Sequence, residues 1–125
     1  MSFARSLSPS LAAAAVAAGL AHAGEPVKLD KAALEKALSG RSISYSNING
    51  SATIVNFDKD GRATYKTGTS KASVGTWEVD NDSRYCIKIT SGTVQDHCRR
   101  VWKTDTGYAL NNPGGGDLIP IRGLD

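Results

Sequence analysis

The segment RYCIKITSGTVQDHC, Arg84 to Cys98, decides how this chain folds, because it contains the only two cysteines of the sequence. Both sides of the central Ser91-Gly92 pair carry β-branched and aromatic residues, a pattern that predicts two strands joined by a turn. A hairpin centred on Gly92 places positions 86 and 98 opposite each other. Opposed residues of antiparallel strands have Cβ atoms about 5 Å apart, close to the distance that a disulfide needs. We therefore predict a structural disulfide between Cys86 and Cys98.

Two other uses of the cysteines remain open. A metal site would need His97 or Asp96 as a further ligand, but adjacent strand residues point to opposite faces, and a lone histidine with two cysteines is too few for a closed zinc site. A redox pair would favour the C-x-x-C spacing, which the sequence lacks. The two faces of the hairpin are not cleanly apolar and polar, which predicts either a bulge near His97 or partial cover on both faces.

The N-terminus has the layout of a secretory signal peptide. Arg5 is the only charged side chain before Glu25, and an uninterrupted apolar run, LAAAAVAAGLA, extends from Leu11 to Ala21. Small residues at positions 21 and 23 fit the cleavage site of signal peptidase. We predict that residues 1–23 are a signal peptide cleaved after Ala23, and that the protein is periplasmic or secreted. The run is too short for a membrane span, and no lipid-anchor cysteine follows it, so no stable membrane anchor is expected after cleavage.

Residues 24–125 then form a single small β-rich domain, since about 100 residues suit one domain. Without Arg5 the 15 basic residues become 14, against 12 acidic ones, which leaves a net charge of +2. The charges are interspersed rather than clustered. This pattern is not that of a nucleic-acid-binding protein, and we expect no nucleic-acid partner.

The order of local signals predicts a mainly β (α+β) fold. After a short leader, residues 24–28, comes a helix with Asp30 as its N-cap and Gly40 beyond its C-terminus. From Arg41 onward, short strand-forming segments alternate with turn signals such as Asn49-Gly50 and Asp60-Gly61. We predict a short N-terminal helix packed on a small antiparallel β-sheet that closes into a barrel or a sandwich.

Five side chains are candidates for a binding surface or pocket, although core packing would also explain the aromatic ones. Trp77 and Trp102 are large for so small a domain and suit a pocket wall or an interface anchor. Tyr85 would line a cavity together with Trp77. Arg99 and Arg100 could bind an anion or an acidic partner, but they point to opposite faces of a strand and do not form one patch.

Catalytic and cofactor signals are weak. His97 is the only histidine after the predicted cleavage site, and no G-x-S-x-G motif accompanies it. The segment NFDKDG, Asn56 to Gly61, resembles half of a calcium loop but lacks the acidic twelfth ligand. The acidic segment DND, Asp80 to Asp82, is typical of a solvated turn. We therefore predict no enzyme activity, no cofactor and no metal.

The run GTWEVDNDSRYC…HCRRV, Gly75 to Val101, resembles a pattern in small exported proteobacterial proteins of unknown function. In those proteins a G-x-W strand precedes an acidic turn, two cysteines and a basic-apolar strand. The segment LSGRSISY, Leu38 to Tyr45, is similar to their helix end and first strand. The resemblance covers about two thirds of the mature chain, and it implies a periplasmic β-domain without an assigned activity.

Together these features predict an exported, non-enzymatic binding or interaction domain whose partner is an unknown protein or small ligand. A small-molecule carrier with a lipocalin-like barrel cavity is the alternative. A redox or metal protein that uses Cys86, Cys98 and His97 is the third hypothesis. The sequence does not determine the oligomeric state.

Overall fold

The computed structural model describes residues 24–47 and 49–124, and the predicted signal peptide, residues 1–23, lies outside the described residues. The described chain is mainly β with antiparallel sheets and one short helix, which confirms the predicted fold class. The helix, α1, spans Lys31–Leu38. The described residues form ten strands: β1 Val27–Lys28, β2 Arg41–Ser46, β3 Ala52–Phe57, β4 Arg62–Thr67, β5 Ser73–Val79, β6 Tyr85–Ser91, β7 His97–Arg99, β8 Val101–Thr104, β9 Gly107–Leu110 and β10 Ile119–Ile121.

Helix α1 has the caps that its sequence predicts. The side chain of Asp30 accepts a hydrogen bond from the backbone N–H of Ala33 at 2.9 Å, and Gly40 adopts a left-handed φ of 76° just after the helix. Eight residues are too few for a stable isolated helix, so packing must hold it. Leu34 and Leu38 supply that packing, because both side chains are fully buried in the core shared with the sheets.

Strands β2 to β7 form one six-stranded antiparallel sheet in chain order. The sheet curls into a half-barrel. Alternate residues along each strand face its concave side, and they supply half of the buried core cluster: Ile43, Val55, Phe57, Ala63, Val79, Tyr85 and Ile87. Helix α1 packs on β2 and β5, beside the end of the half-barrel where β2 begins.

Strands β1, β8, β9 and β10 form a second antiparallel sheet, which we call the small sheet. One residue, Arg100, separates β7 from β8, so the chain passes directly from the half-barrel into the small sheet. At the opposite edge, Ser44 and Arg122 exchange two backbone hydrogen bonds of 3.0 Å. The small sheet is therefore joined to both edges of the half-barrel, and its Val101 and Leu110 belong to the same core.

Strand β1 lies where the sequence predicts only a leader. Val27 pairs with Lys103, and Lys28 pairs with Trp102. The local sequence carries no strand signal here because the two-residue strand forms by pairing with a segment more than seventy residues away.

The cysteine hairpin has the predicted register and the predicted disulfide. Cys86 lies opposite Cys98, with Tyr85 opposite Arg99 and Ile87 opposite His97. The two cysteines are bonded across a Cα–Cα distance of 4.0 Å. No register shift interrupts these three pairs, so the bulge near His97 is absent, and the half-burial of residues 97–100 shows that both faces are partly covered.

Candidate ligand pocket

The side chains on the concave face of the half-barrel include three tyrosines, a histidine and an arginine, which we call the polar cluster: Tyr45, Tyr65, Tyr85, His97 and Arg99. Each occupies a concave position in its strand, as the register shows: Tyr85 pairs with Arg99, and Tyr65 pairs with the fully buried Val55. Three tyrosines, a histidine and an arginine are an unusual content for the inside of so small a domain, where apolar side chains normally pack.

Direct ring contacts join the members of the cluster. The guanidinium carbon of Arg99 lies 5.8 Å from the centre of the Tyr45 ring, within cation–π range. The rings of Tyr65 and His97 meet edge to face with their centres 5.3 Å apart. His97 also donates its Nδ1–H to the backbone oxygen of Gln95 at 3.0 Å, since a carbonyl oxygen can only accept. Nε2 is then the ring nitrogen that remains for a further hydrogen bond.

Three polar atoms of the cluster are buried without a hydrogen-bond partner among the described residues. They are the hydroxyls of Tyr45 and Tyr85 and Nε2 of His97. An unsatisfied buried donor or acceptor costs about 1–3 kcal/mol, so each of these atoms would gain from a hydrogen-bond partner. Burial raises the pKa of both hydroxyls, and at Tyr45 the neighbouring Tyr85 and Tyr65 raise the pKa further. The Tyr65 side chain is thus close to the Tyr45 hydroxyl, although the two miss the geometry of a hydrogen bond. Tyr45 and Tyr85 therefore stay protonated and remain hydrogen-bond donors.

A cavity of about 310 Å³ opens beside the cluster, and we call it the mouth pocket. It lies at the end of the half-barrel away from α1, where β2 ends and the loop between β9 and β10, residues 111–118, crosses over. Its walls combine aromatic, aliphatic, amide and guanidinium groups: Tyr45, Asn47, Tyr65, Arg99, Asn112, Pro113, Gly114 and Ile119. A few polar groups converging in a mainly apolar cavity are typical of small-molecule sites.

Arg99 supplies the positive charge of the mouth pocket. Its Nη1 donates to the backbone oxygen of Asn111 at 3.3 Å, which ties the loop to β7. Among residues 24–47 and 49–124, no carboxylate forms a salt bridge with Arg99. A guanidinium carries five N–H donors, so Arg99 retains donors for a ligand beyond its bond to Asn111.

The other predicted binding residues lie elsewhere. Trp77 is on the concave face but packs edge to face on Phe57 at 5.2 Å and donates its indole N–H to the backbone oxygen of Asp58 at 2.8 Å. Arg100 and Trp102 alternate with the concave Arg99 and the buried Val101, so they face the opposite side. The structure thus brings Tyr85 and Arg99 together and separates them from Arg100 and Trp102.

The disulfide lies on the convex face, in a groove of about 380 Å³. The Asp80 carboxylate comes within 3.6 Å of the Cys86 sulfur and forms an ion pair with Arg84 at 2.7 Å. Asp80, Cys86 and Cys98 have the mutual spacing of metal ligands. A disulfide offers no thiolate, however, so this group as it stands is not a zinc donor set. His97 lies on the other face and does not join it.

Sequence reasoning missed Tyr45, Tyr65 and the loop residue Asn112. A signal was present for the tyrosines, since the period of two along a strand places Tyr45 on the same face as Ile43 and Tyr65 on the same face as Ala63. The alternation of side chains along β2 and β4 shows only that Tyr45 and Tyr65 lie on the same faces as their apolar neighbours. Their meeting with Arg99, more than thirty residues away along the chain, follows from the curl of the sheet.

Comparison with known protein families, curated proteins and solved structures found no match to this chain. Within the described part of the chain, α1 is eight residues long, and no helix is long and apolar enough to cross a membrane.

Proposed function

We propose that this protein is an exported, non-enzymatic binding domain that holds a small organic ligand in the mouth pocket. This is the carrier alternative rather than a flat protein-binding surface. In this proposal the two sheets act as one closed barrel, with α1 near one end and the ligand entering at the other. The disulfide suits an oxidising compartment and is consistent with export.

The observation that carries the proposal is that the cavity is lined by Tyr45, whose hydroxyl has no hydrogen-bond partner among the described residues, and by Arg99, whose guanidinium forms no salt bridge with them. A cavity by itself could be a packing defect, and a buried polar atom by itself could be a local cost. When both occur in one cavity, they offer a ligand a matching shape and hydrogen-bond partners.

The test is a fragment screen by two-dimensional ¹H–¹⁵N NMR on the protein purified without its first 23 residues. Single-ring neutral and charged fragments at millimolar concentration should shift the amide signals of Tyr45, Asn47, Tyr65 and Asn112. Substitution Ile119→Trp should fill the pocket and abolish these shifts. Ile54→Trp is the matched control, because Ile54 is 46% exposed on the convex side of β3.

Fragments that shift only convex-face amides, such as those of Lys88 and Asp96, would move the site to the disulfide groove and overturn the proposal. A screen without any saturable shift would also overturn it. Fragment binding that survives Ile119→Trp would show that the mouth pocket is not where the ligand lies.

A further inference from the structure

We infer that the ligand of the mouth pocket is a small organic monocarboxylate whose carboxylate group is held by the Arg99 guanidinium and the Tyr45 hydroxyl. This inference rests on the proposed function and adds the chemical class of the ligand. It follows from three features of the pocket: its charge, its hydrogen-bond donors and its size.

Among the described residues that line the pocket, Arg99 is the only charged one. The other described lining residues are tyrosine, asparagine, proline, glycine and isoleucine. A half-buried cation without a counter-ion is costly in a low-dielectric site and attracts an anion. One positive charge matches one negative charge, whereas a phosphate dianion would retain an unpaired charge in the pocket.

The hydrogen-bond donors of the mouth pocket favour a planar acceptor group such as a carboxylate. The guanidinium fork matches the geometry of a carboxylate, with two parallel N–H···O bonds. It lies over the Tyr45 ring, so a group bound to Arg99 also comes near the Tyr45 hydroxyl, which is buried and unsatisfied. The hydroxyl is held in its protonated form by burial and can donate a further hydrogen bond. Tyr85, which pairs with Arg99 in the register, is fully buried and does not line the pocket, so Arg99 and Tyr45 are the groups proposed to hold the carboxylate.

The size limits the rest of the ligand. A volume of 310 Å³ equals that of about ten water molecules in the liquid. This is room for one ring or a short branched chain, but not for a long lipid. Apolar contacts for this ring or chain come from the rings of Tyr45 and Tyr65 and from Ile119 and Pro113. The expected ligand is therefore an acid of about ten non-hydrogen atoms with an apolar ring or chain.

The experiment compares two probes of the same shape, benzoate and benzamide, on the protein lacking residues 1–23. NMR titration should give a benzoate dissociation constant at least tenfold below that of benzamide, with shifts at Tyr45 and Asn112. Binding of benzoate should weaken as the pH falls below about 4, where its carboxylate becomes protonated. Inorganic phosphate, titrated in parallel, should bind at least tenfold more weakly than benzoate.

The two neighbouring arginines provide a matched pair of variants. Arg99→Gln should remove the preference for benzoate over benzamide, while Arg100→Gln should leave it unchanged, because Arg100 faces the convex side. Tyr45→Phe should weaken benzoate binding about threefold to tenfold without lowering the melting temperature. If the Tyr45 hydroxyl had a purely structural role, Tyr45→Phe would instead lower the melting temperature of the protein.

Equal affinities for benzoate and benzamide in the unaltered protein would overturn the inference while leaving the proposed function standing. Tighter binding of phosphate would also overturn it and replace the ligand class with a phosphate monoester. The failure of every probe to reach the pocket would count against the proposed function itself. A preference for benzoate that persists in Arg99→Gln would show that another group holds the charge.

Discussion

At the residue scale, the unusual feature is the pair of tyrosine hydroxyls inside the half-barrel. The Tyr85 side chain is fully buried and packs edge to face on Phe57 at 5.0 Å, so its ring serves the core as any aromatic would. Its hydroxyl adds no hydrogen bond with a described residue. Phenylalanine would fill the same space without the desolvation cost, so the hydroxyl is a feature that stability does not explain.

We therefore expect Tyr85→Phe to leave the free energy of unfolding unchanged or to raise it by about 1 kcal/mol. Urea denaturation followed by tryptophan fluorescence measures the change. Tyr108→Phe on the small sheet is the matched control and should stay within about 0.5 kcal/mol, since that ring is only partly buried. A loss of more than 1 kcal/mol in Tyr85→Phe would mean that the hydroxyl is satisfied in solution.

At the element scale, the β5–β6 hairpin depends on one glycine and one acidic turn. Gly75 pairs with Ile89 beside the single register shift of this strand pair, and a Cβ atom at position 75 would collide with the backbone oxygen of Lys88. In the turn between the strands, Asp80 accepts hydrogen bonds from the backbone N–H groups of Asp82 and Arg84, both at 3.0 Å. The same carboxylate accepts from Nε of Arg84 at 2.8 Å.

Gly75→Ala should lower the free energy of unfolding by about 1–3 kcal/mol, because one of the two paired strands must move to admit the methyl group. The matched control is Gly114→Ala, where the added Cβ would make only an ordinary contact of 3.6 Å with the Asn112 side chain. Thermal unfolding of the two variants checks the difference. Equal stabilities would contradict the close approach of the strands at Gly75.

The acidic turn should make stability depend on pH. The Arg84 hydrogen bond lowers the pKa of Asp80 in the folded state, so the ionised carboxylate stabilises the fold above the ordinary aspartate pKa of about 3.9. That contribution disappears as the pH falls through the lower, folded-state pKa. We expect Asp80→Asn to have a lower urea midpoint than the unaltered protein at pH 7, with the difference shrinking below about pH 4.

Asp82→Asn serves as the control for that pH series. The Asp82 side chain is 72% exposed, and its carboxylate lies 3.8 Å from Arg84, so solvent screens the pair. The urea midpoint of Asp82→Asn should equal that of the unaltered protein at every pH. A pH-independent deficit in Asp80→Asn would mean that the turn needs both acceptor oxygens of the Asp80 side chain rather than its charge.

At the scale of the whole molecule, two sheets share one core, and few links hold them together. The chain passes from the half-barrel to the small sheet through Arg100, and the other seam is the pair of hydrogen bonds between Ser44 and Arg122. The disulfide clamps β6 to β7, which is the last strand before the first of these links. It thus secures the edge of the half-barrel from which the small sheet extends.

The double substitution Cys86→Ser and Cys98→Ser should lower the free energy of unfolding by about 3 kcal/mol. The disulfide closes a loop of sequence separation 12, and removing it raises the entropy of the unfolded chain. Urea denaturation of the unaltered protein with and without a reductant should show the same loss. A midpoint that is insensitive to reduction would contradict a structural role for the disulfide.

The features that the sequence by itself determined are those set by near neighbours along the chain. The Asp30 cap and Gly40 bound α1, the Asn-Gly and Asp-Gly turns mark hairpins, and equal distances from Gly92 place Cys86 opposite Cys98. Each depends on the conformation of a few consecutive residues or on the period of two along a strand. The mainly β fold class and the disulfide follow from such signals, and the structure confirms both.

The tertiary structure alone decided which face of each strand points inward and which side chains meet there. Alternation predicts that Arg99 and Arg100 oppose each other, but only the packing of Val101 and Ile87 in the shared core turns Arg99 toward the interior. The mouth pocket likewise joins β2, β4, β7 and the loop before β10, which meet because the sheet curls. Curl and closure are sums of many small twists over the whole chain, and no short segment contains them.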